Sequence, residues 1–192
     1  MKSLKGTQTE KNLLLTFAGE SQARNRYAFA ASAAKKDGFE QISAIFAETA
    51  EQEKEHGKRM FKFLEGGDLE IVGAFPAGCT KDTLYNLNMA ADGENHEHTV
   101  LYPGFAKIAL AEGFNELAEI WNSISVAEAF HEKRFRDFAK NVKEGRVFTR
   151  EVPVTWRCRN CGFILENSKS APELCPACAH PRAHFELLGI NW

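Results

Sequence analysis

The acidic stretch E-Q-E-K-E-H, residues 51–56, ends in a Glu-x-x-His pattern from Glu53 to His56. The same pattern recurs seventy-five residues later in E-A-F-H, from Glu128 to His131. Residues three apart share one face of an α-helix, so each pattern directs a carboxylate and an imidazole to the same side. A single match is usually solvated surface, but two matches at equivalent places in a repeat indicate a dinuclear metal site inside a helical bundle.

The repeat extends over two helical hairpins. Gly38-Phe39 matches Gly113-Phe114 at the same offset. Helical patterns cover residues 4–37, 39–65, 81–111 and 114–144, with a short turn inside each pair and a long crossover at 66–80. Two antiparallel hairpins joined by one crossover predict an all-α four-helix bundle of the ferritin-like form.

One part of the repeat is out of step. Glu20 and Glu94, the carboxylates upstream of the two patterns, are seventy-four residues apart, whereas Tyr27 and Tyr102 keep the offset of seventy-five. The third helix therefore accommodates one residue more between Glu94 and Tyr102 than the first helix does between Glu20 and Tyr27. A single-turn π-bulge explains this difference, and a kink at Pro103 is the alternative.

The predicted bundle site has the composition of a di-iron or di-manganese centre. One Glu from each of two helices and one Glu-x-x-His from each of the others are the ligands of such centres. Carboxylates bridge cations and offset their charge, and imidazole suits iron. Glu97 lies one turn after Glu94 and is predicted as a further ligand, with a surface role as the alternative. His96 and His98 lie on other faces and are interpreted as non-ligands.

A second metal motif follows the bundle. The stretches W-R-C-R-N-C-G-F, residues 156–163, and C-P-A-C, residues 175–178, form two Cys-x-x-Cys knuckles. Four thiolates at this spacing impose tetrahedral coordination of zinc or iron, and the spacing alone leaves both metals open. About forty residues form too small a core to fold unaided, so the metal must stabilise this module. Cys79 stands alone in the crossover and is interpreted as a bystander.

The bulk properties restrict the class of protein. The 192 residues suit a bundle at 1–147 and a four-cysteine module at 153–192. A formal charge of −2 gives no broad basic field, which argues against nucleic acid as a partner. No stretch has the length of a membrane span, and the N-terminus lacks the apolar core of a signal peptide. We therefore expect a soluble, cytoplasmic protein.

These motifs together resemble the rubrerythrin family along the whole chain. The bundle contributes E-S-Q-A-R-N-R-Y (20–27), E-Q-E-K-E-H (51–56), E-N-H-E (94–97) and E-A-F-H (128–131). The C-terminal module contributes both knuckles and the tail H-F-E-L-L-G-I-N-W (184–192). The resemblance implies a ferritin-like di-iron bundle followed by a rubredoxin-like iron domain.

The resemblance also implies roles for individual residues. It assigns the two irons of the bundle to Glu20, Glu53, His56, Glu94, Glu97, Glu128 and His131. It assigns one redox iron to Cys158, Cys161, Cys175 and Cys178, and it places Tyr27 and Tyr102 in hydrogen bonds near the di-iron cluster, with ordinary packing as the alternative. One iron is expected to exchange Glu97 for His56 on reduction. The inner cysteine spacing is shorter than in free-standing rubredoxins, and Ala179 stands where those have glycine.

The implied activity is that of a cytoplasmic peroxidase, which reduces hydrogen peroxide to water. Electrons are expected from rubredoxin or an NAD(P)H-linked reductase, which is a separate protein because the chain has no dinucleotide-binding glycine motif. A head-to-tail homodimer is expected to place the four-cysteine module of one subunit (residues 153–192, the ribbon) beside the partner's di-iron site. The alternatives are a ferroxidase that handles iron and a non-enzymatic scaffold stabilised by zinc.

Overall fold

The chain forms a helical bundle followed by a small antiparallel sheet, and the computed structural model describes residues 2–190. The bundle contains α1 (Gln8–Lys36), α2 (Glu40–Phe61), α3 (Thr83–His96), a π-helical segment (Glu97–Leu101), α4 (Tyr102–Ala111) and α5 (Asn115–Lys143). The helix α3, the π-helical segment and α4 follow one another without a break, so the bundle has four helical rods. The predicted ferritin-like architecture is confirmed. The tail residues Asn191 and Trp192 lie outside the described residues.

The π-helical segment accounts for the extra residue in the second half of the repeat. It occupies the interval between Glu94 and Tyr102 in which the offset changes. The backbone N–H of Tyr102 donates to the carbonyl of Glu97, five residues back, as a π-turn requires. Pro103 follows directly after this segment, at the start of α4. The π-bulge interpretation is therefore confirmed.

The first helix is shorter than the sequence pattern predicted. It begins at Gln8 rather than at residue 4, because the Thr7 side chain caps the helix by accepting from the N–H of Glu10. Gly6 precedes this cap with a φ of +79°, a conformation that no helix continues through. The second helix ends at Phe61 and not at residue 65.

The hydrophobic core of the bundle is divided into two clusters. One contains Phe46, Leu87 and Phe135, and the other contains Leu13 and Trp121. Along each rod, the residues of one cluster give way to those of the other at the position of a predicted metal ligand. The predicted ligands therefore form a polar layer across the middle of the bundle, with apolar packing on both sides.

The C-terminal module is a three-stranded antiparallel sheet with strand order β2-β1-β3. Its strands are β1 (Thr149–Cys158), β2 (Ile164–Ser170) and β3 (Phe185–Leu187). The module packs on the end of the bundle at the turn between α1 and α2, where the Phe39 and Phe148 rings stack with centroids 5.9 Å apart. Its short helical turn, Arg182–His184, contacts α2.

Between residues 2 and 190, no helix combines the length and the apolar character that crossing a membrane demands.

Candidate metal centres

Four buried glutamates and two histidines converge in the polar layer. Glu20 comes from α1, Glu94 from α3, and each of α2 and α5 contributes a Glu-x-x-His pair. All four carboxylates are fully buried, and His131 is nearly so, whereas the side chain of His56 is 19% exposed. Gly57 on α2 allows Glu20 of α1 to lie close to the α2 backbone, since a Cβ at position 57 would lie 3.2 Å from Cβ of Glu20.

The ligand atoms fall into two overlapping groups. Atoms of Glu20, Glu53, His56 and Glu128 lie within 4.8 Å of one another, and so do atoms of Glu53, Glu94, Glu128 and His131. Both groups share Glu53 and Glu128. Nδ1 of His56 lies 2.9 Å from Glu128, and Nδ1 of His131 lies 3.1 Å from Glu53. The two shared carboxylates are therefore placed to bridge two cations, each with its own glutamate and histidine.

The polar atoms of this layer contact mainly one another: Nδ1 of His131 lies 3.1 Å from Glu53 and 2.8 Å from Glu128. The buried atoms that make no well-directed hydrogen bond include Glu20 Oε2, Glu53 Oε1, Glu94 Oε2, both carboxylate oxygens of Glu128, and Nδ1 of His131. An unsatisfied buried polar atom costs about 1–3 kcal/mol, and more when it is charged. Two cations would satisfy these atoms and offset the negative charge. The residues present therefore fit a dinuclear metal site.

Two tyrosines hold the terminal carboxylates. The Tyr27 hydroxyl donates to Glu94, and the Tyr102 hydroxyl donates to Glu20, each through a short hydrogen bond. Burial raises the pKa of both tyrosines well above the usual value, and the neighbouring carboxylates raise it further. Both phenols therefore remain protonated donors, and each fixes one oxygen of its glutamate while leaving the other oxygen free.

Proton affinities in the layer are strongly shifted when no metal is bound. Burial raises the pKa of Glu94 to about 8. Burial also disfavours charged histidines, but hydrogen bonds to the glutamates outweigh it and raise the pKa of His56 to about 10 and that of His131 to about 12. Burial raises the pKa of Glu53, but hydrogen bonds from both histidines lower it to about 2. The metal-free layer therefore keeps protons in place of cations.

We expect the stability of the metal-free bundle to fall as the pH rises. A histidine with a raised folded-state pKa stabilises the fold fully below its unfolded value of 6.5, and this contribution is lost as the pH rises towards 10. The raised pKa of Glu94 acts in the same direction. Its contribution to folding stability is complete below pH 4.5 and is lost as the pH rises to about 8. Urea titrations of chelator-treated protein, followed by helical circular dichroism, should show at least about 2 kcal/mol less stability at pH 9 than at pH 6. Protein with metal bound serves as the control, and a flat or rising profile without metal would contradict the expectation.

Glu97 is the predicted ligand that the structure does not bring into either group. It begins the π-helical segment and is half-buried. Burial raises its pKa well above the usual value, and Glu94 raises it further. Glu97 is therefore close enough for electrostatic repulsion from the carboxylates of the layer to raise its pKa. Its assignment as a ligand stays a prediction. His96 is exposed and His98 bonds to Glu132 at 2.7 Å, so neither belongs to a ligand group in the described chain.

The second candidate centre lies in the C-terminal module. Sγ atoms of Cys158, Cys161, Cys175 and Cys178 lie within 4.8 Å of one another. Trp156 and Phe185 pack fully buried beside them, and β1 pairs with both other strands around the first knuckle. Four converging thiols in a module with so small a core fit one tetrahedral ion. Ala179, where rubredoxins have glycine, adopts a φ of +55°, the left-handed conformation that favours glycine.

The second cysteine of each knuckle accepts a backbone N–H from the residue two positions further on, Phe163 for Cys161 and His180 for Cys178. A backbone N–H from His180 is the main reason why the pKa of Cys178 falls to about 6. The Asn160 side chain also donates to Cys178 Sγ at 3.5 Å. Cysteine spacing does not identify Asn160 as a functional residue, although its place between Cys158 and Cys161 puts it beside the sulfurs.

Replacing Asn160 with Ala should lower the reduction potential of an iron held by the four cysteines. A hydrogen bond to sulfur favours the reduced state, which carries more negative charge. A difference of about 1 kcal/mol corresponds to roughly 40 mV for a one-electron centre. Spectroelectrochemical titration of the ribbon's visible absorbance measures the shift, and an unchanged or higher potential would contradict the assigned contact.

The chain was then compared with known proteins. Residues 11–139 match the family model described as Rubrerythrin, and residues 156–186 match the model described as Rubrerythrin, rubredoxin-like domain. A protein named Rubrerythrin from Nitratidesulfovibrio vulgaris is 69% identical over 192 residues, which is 100% of both chains. A Rubrerythrin from Porphyromonas gingivalis is 56% identical over 100% of this chain and 95% of its own.

Solved structures give the same picture of the fold. The fully reduced, all-ferrous state of nigerythrin superposes with a TM-score of 0.63 at 26% identity, over 97% of this chain and 92% of that one. Family models match both modules, and the two rubrerythrins align over the full length of this chain. All of these comparisons indicate the same family. The chain belongs to the rubrerythrin family.

Proposed function

We propose that the chain is a cytoplasmic peroxidase, which reduces hydrogen peroxide with two electrons and two protons to give two molecules of water. The rubrerythrin family is redox-active and is known for a di-iron carboxylate site, a rubredoxin-like iron site and a part in oxidative stress defence. The observation that carries the proposal is the presence of both candidate centres on one chain. A ferroxidase needs no attached electron relay, whereas a peroxidase must be re-reduced after each turnover.

The proposal assigns a task to each residue of the layer. When bound, the iron pair supplies two electrons and Lewis acidity to peroxide, and the ribbon's iron returns electrons one at a time. Glu53 and Glu128, which belong to both ligand groups, would hold both ions from α2 and α5, while Glu20 and Glu94 would each serve one ion. Tyr27 and Tyr102 orient the terminal carboxylates and keep their own protons. Glu97 is proposed as a further ligand.

Access for a small substrate is available beside His56. The imidazole lines an open pocket of about 480 Å³ together with Arg59, Ser123 and Ile124. His131 is buried on the other side of the layer. The His56 end is therefore the more exposed end of the site, and the proposal is that peroxide and protons reach it from this pocket.

The position of the ribbon supports a head-to-tail dimer as the working form. The ribbon packs on Phe39 at one end of α2, and His56 lies seventeen residues further along the chain. At 1.5 Å per residue this separation is roughly 25 Å. A partner ribbon docked near the pocket beside His56 would shorten the electron path. A monomer in sedimentation experiments that retained full activity would exclude this arrangement.

A coupled assay tests the proposed activity. The iron-containing protein, rubredoxin, an NADH-linked reductase and hydrogen peroxide are mixed anaerobically, and NADH oxidation is followed. We expect NADH oxidation to require all four components and to match the peroxide consumed. If oxidation does not depend on this chain, and excess ferrous iron in air instead forms a mineral core, the protein is a ferroxidase.

A further inference from the structure

The second nitrogen of His131 has an anchor that the repeat does not predict. Nε2 of His131 lies 3.0 Å from Oε1 of Gln52, which reaches across from α2. Nδ1 of the same ring faces the carboxylates of Glu53 and Glu128. A histidine that binds a metal through one nitrogen usually donates the other N–H to an oxygen, which fixes both the ring orientation and the tautomer.

Arg134 determines which end of the Gln52 amide faces His131. Its Nη2 donates to the same Oε1 at 3.4 Å and to Thr49 Oγ1 at 2.6 Å, while Nη1 pairs with Glu48 at 2.6 Å. A guanidinium has donors only, so the amide must present oxygen to it. That oxygen can only accept from His131, which must therefore carry a proton on Nε2. When a metal replaces the other ring proton, the lone pair is offered by Nδ1, the atom that faces the metal site.

The other half of the repeat lacks this arrangement. At the offset of seventy-five, Gln52 corresponds to Ala127, Thr49 to Ile124 and Glu48 to Ser123. Arg59, the counterpart of Arg134, points instead to Glu116 at 3.4 Å. Nε2 of His56 has no hydrogen-bond partner within residues 2–190, and its ring lines the open pocket. The two histidines thus share the same inner contacts and differ in the outer ones.

We propose that Gln52, held by Arg134, is a positioning residue that fixes His131 as a permanent Nδ1 ligand of one metal, and that Ala127 leaves His56 without an equivalent anchor. The inference rests on the proposed function in one respect, the binding of metal by both histidines. It adds a reason for the two metals to differ that is independent of Glu97, because the two groups of four ligands have the same composition. The two irons are predicted to differ because of residues outside the ligand set.

The test uses the full-length protein loaded with Zn²⁺, which is diamagnetic, and labelled with ¹⁵N at histidine. Long-range ¹H–¹⁵N spectra report which ring nitrogen binds metal, and the solvent exchange rate of each Nε2 proton reports its hydrogen bond. Chelator competition gives the zinc affinity of the bundle. Gln52→Leu removes the acceptor at an exposed position of α2. Gln52→Glu keeps an acceptor oxygen, and Ala127→Gln adds one on the opposite side.

In the wild type, we expect Nδ1 coordination for both histidines and slower Nε2 proton exchange for His131 than for His56. Gln52→Leu should speed exchange at His131 about tenfold and lower the zinc affinity about 10- to 100-fold, and Gln52→Glu should restore both. Ala127→Gln should slow exchange at His56. Unchanged exchange and affinity in Gln52→Leu would overturn the proposal, as would equal losses in Gln52→Leu and Gln52→Glu.

Two further outcomes separate this inference from the proposed function. Wild-type protein that coordinates zinc as expected but has no peroxidase activity with iron would refute the function and leave the role of Gln52 intact. Wild-type protein without zinc on either Nδ1 would overturn the positioning role together with the metal assignment.

Discussion

Replacing Glu53 with Gln is expected to abolish the dinuclear site and to lower peroxidase activity by at least about 100-fold. Glu53 belongs to both ligand groups and contacts both histidines, so its loss affects both metals at once. Changes to residues that only support metal ligands already cost 10- to 100-fold, and a shared ligand should cost more. Gln has nearly the same volume, so the substitution removes charge and one metal-binding oxygen without opening a cavity.

Metal analysis and activity measure this effect together. We expect about three irons per chain in the wild type, two in the bundle and one in the ribbon, and little more than one in the variant. Glu55→Gln, two residues away on the same helix and exposed beside Lys58, is the matched control and should leave both values unchanged. A Glu53→Gln protein that kept full iron content and activity would refute the assignment of this residue as a shared ligand.

Replacing Cys175 with Ala should disconnect the bundle from its electron donor. The residue is buried in the ribbon, and structural zinc in comparably small zinc-finger peptides binds with about 10–16 kcal/mol that is at the same time folding free energy. Loss of one thiolate should therefore unfold the module and remove its iron. Steady-state NADH-linked turnover is expected to fall at least about 100-fold, because the relay that re-reduces the bundle is absent.

The reaction of a chemically reduced bundle with peroxide should persist in the same variant. Dithionite-reduced protein, mixed once with peroxide, is expected to reoxidise at a rate close to that of the wild type. Cys79→Ala is the control, since Cys79 is exposed in the crossover and belongs to neither ligand group. If the Cys175 variant lost the single-turnover reaction as well, the ribbon would be needed for the bundle site itself and not only for electron delivery.

Periodicity and spacing predicted the bundle because the ligand positions recur with it. The offset between Glu20 and Glu94 even located the π-helical segment, since one extra residue in a helical repeat must be absorbed somewhere. The helix limits were less accurate, because Thr7 and Gly6 start the first helix through side-chain and backbone geometry that hydrophobic patterns do not report. The stacking of Phe39 on Phe148 could not be predicted, since it depends on how the two modules dock.

The inner part of the site was easier to predict than its surroundings. Glu-x-x-His spacing identifies ligands, but the contact between Gln52 and His131 joins residues seventy-nine positions apart on different helices. Ala127 offers no visible sequence signal until it is aligned with Gln52 through the repeat. Glu97 illustrates the opposite case, since its spacing from Glu94 predicts a ligand and the structure places it outside both groups. Spacing along a helix determines the face of a residue but not the rotamer of its side chain.

The most direct test of peroxidase function is anaerobic stopped-flow reoxidation of the fully reduced wild-type protein. Hydrogen peroxide and dissolved oxygen are mixed with it in separate runs, and absorbance follows the bundle and the ribbon separately. We predict that peroxide reoxidises both centres rapidly and that oxygen does so slowly. Faster reoxidation by oxygen, or a ribbon that stays reduced while the bundle reacts, would contradict a peroxidase in which the four-cysteine iron relays electrons.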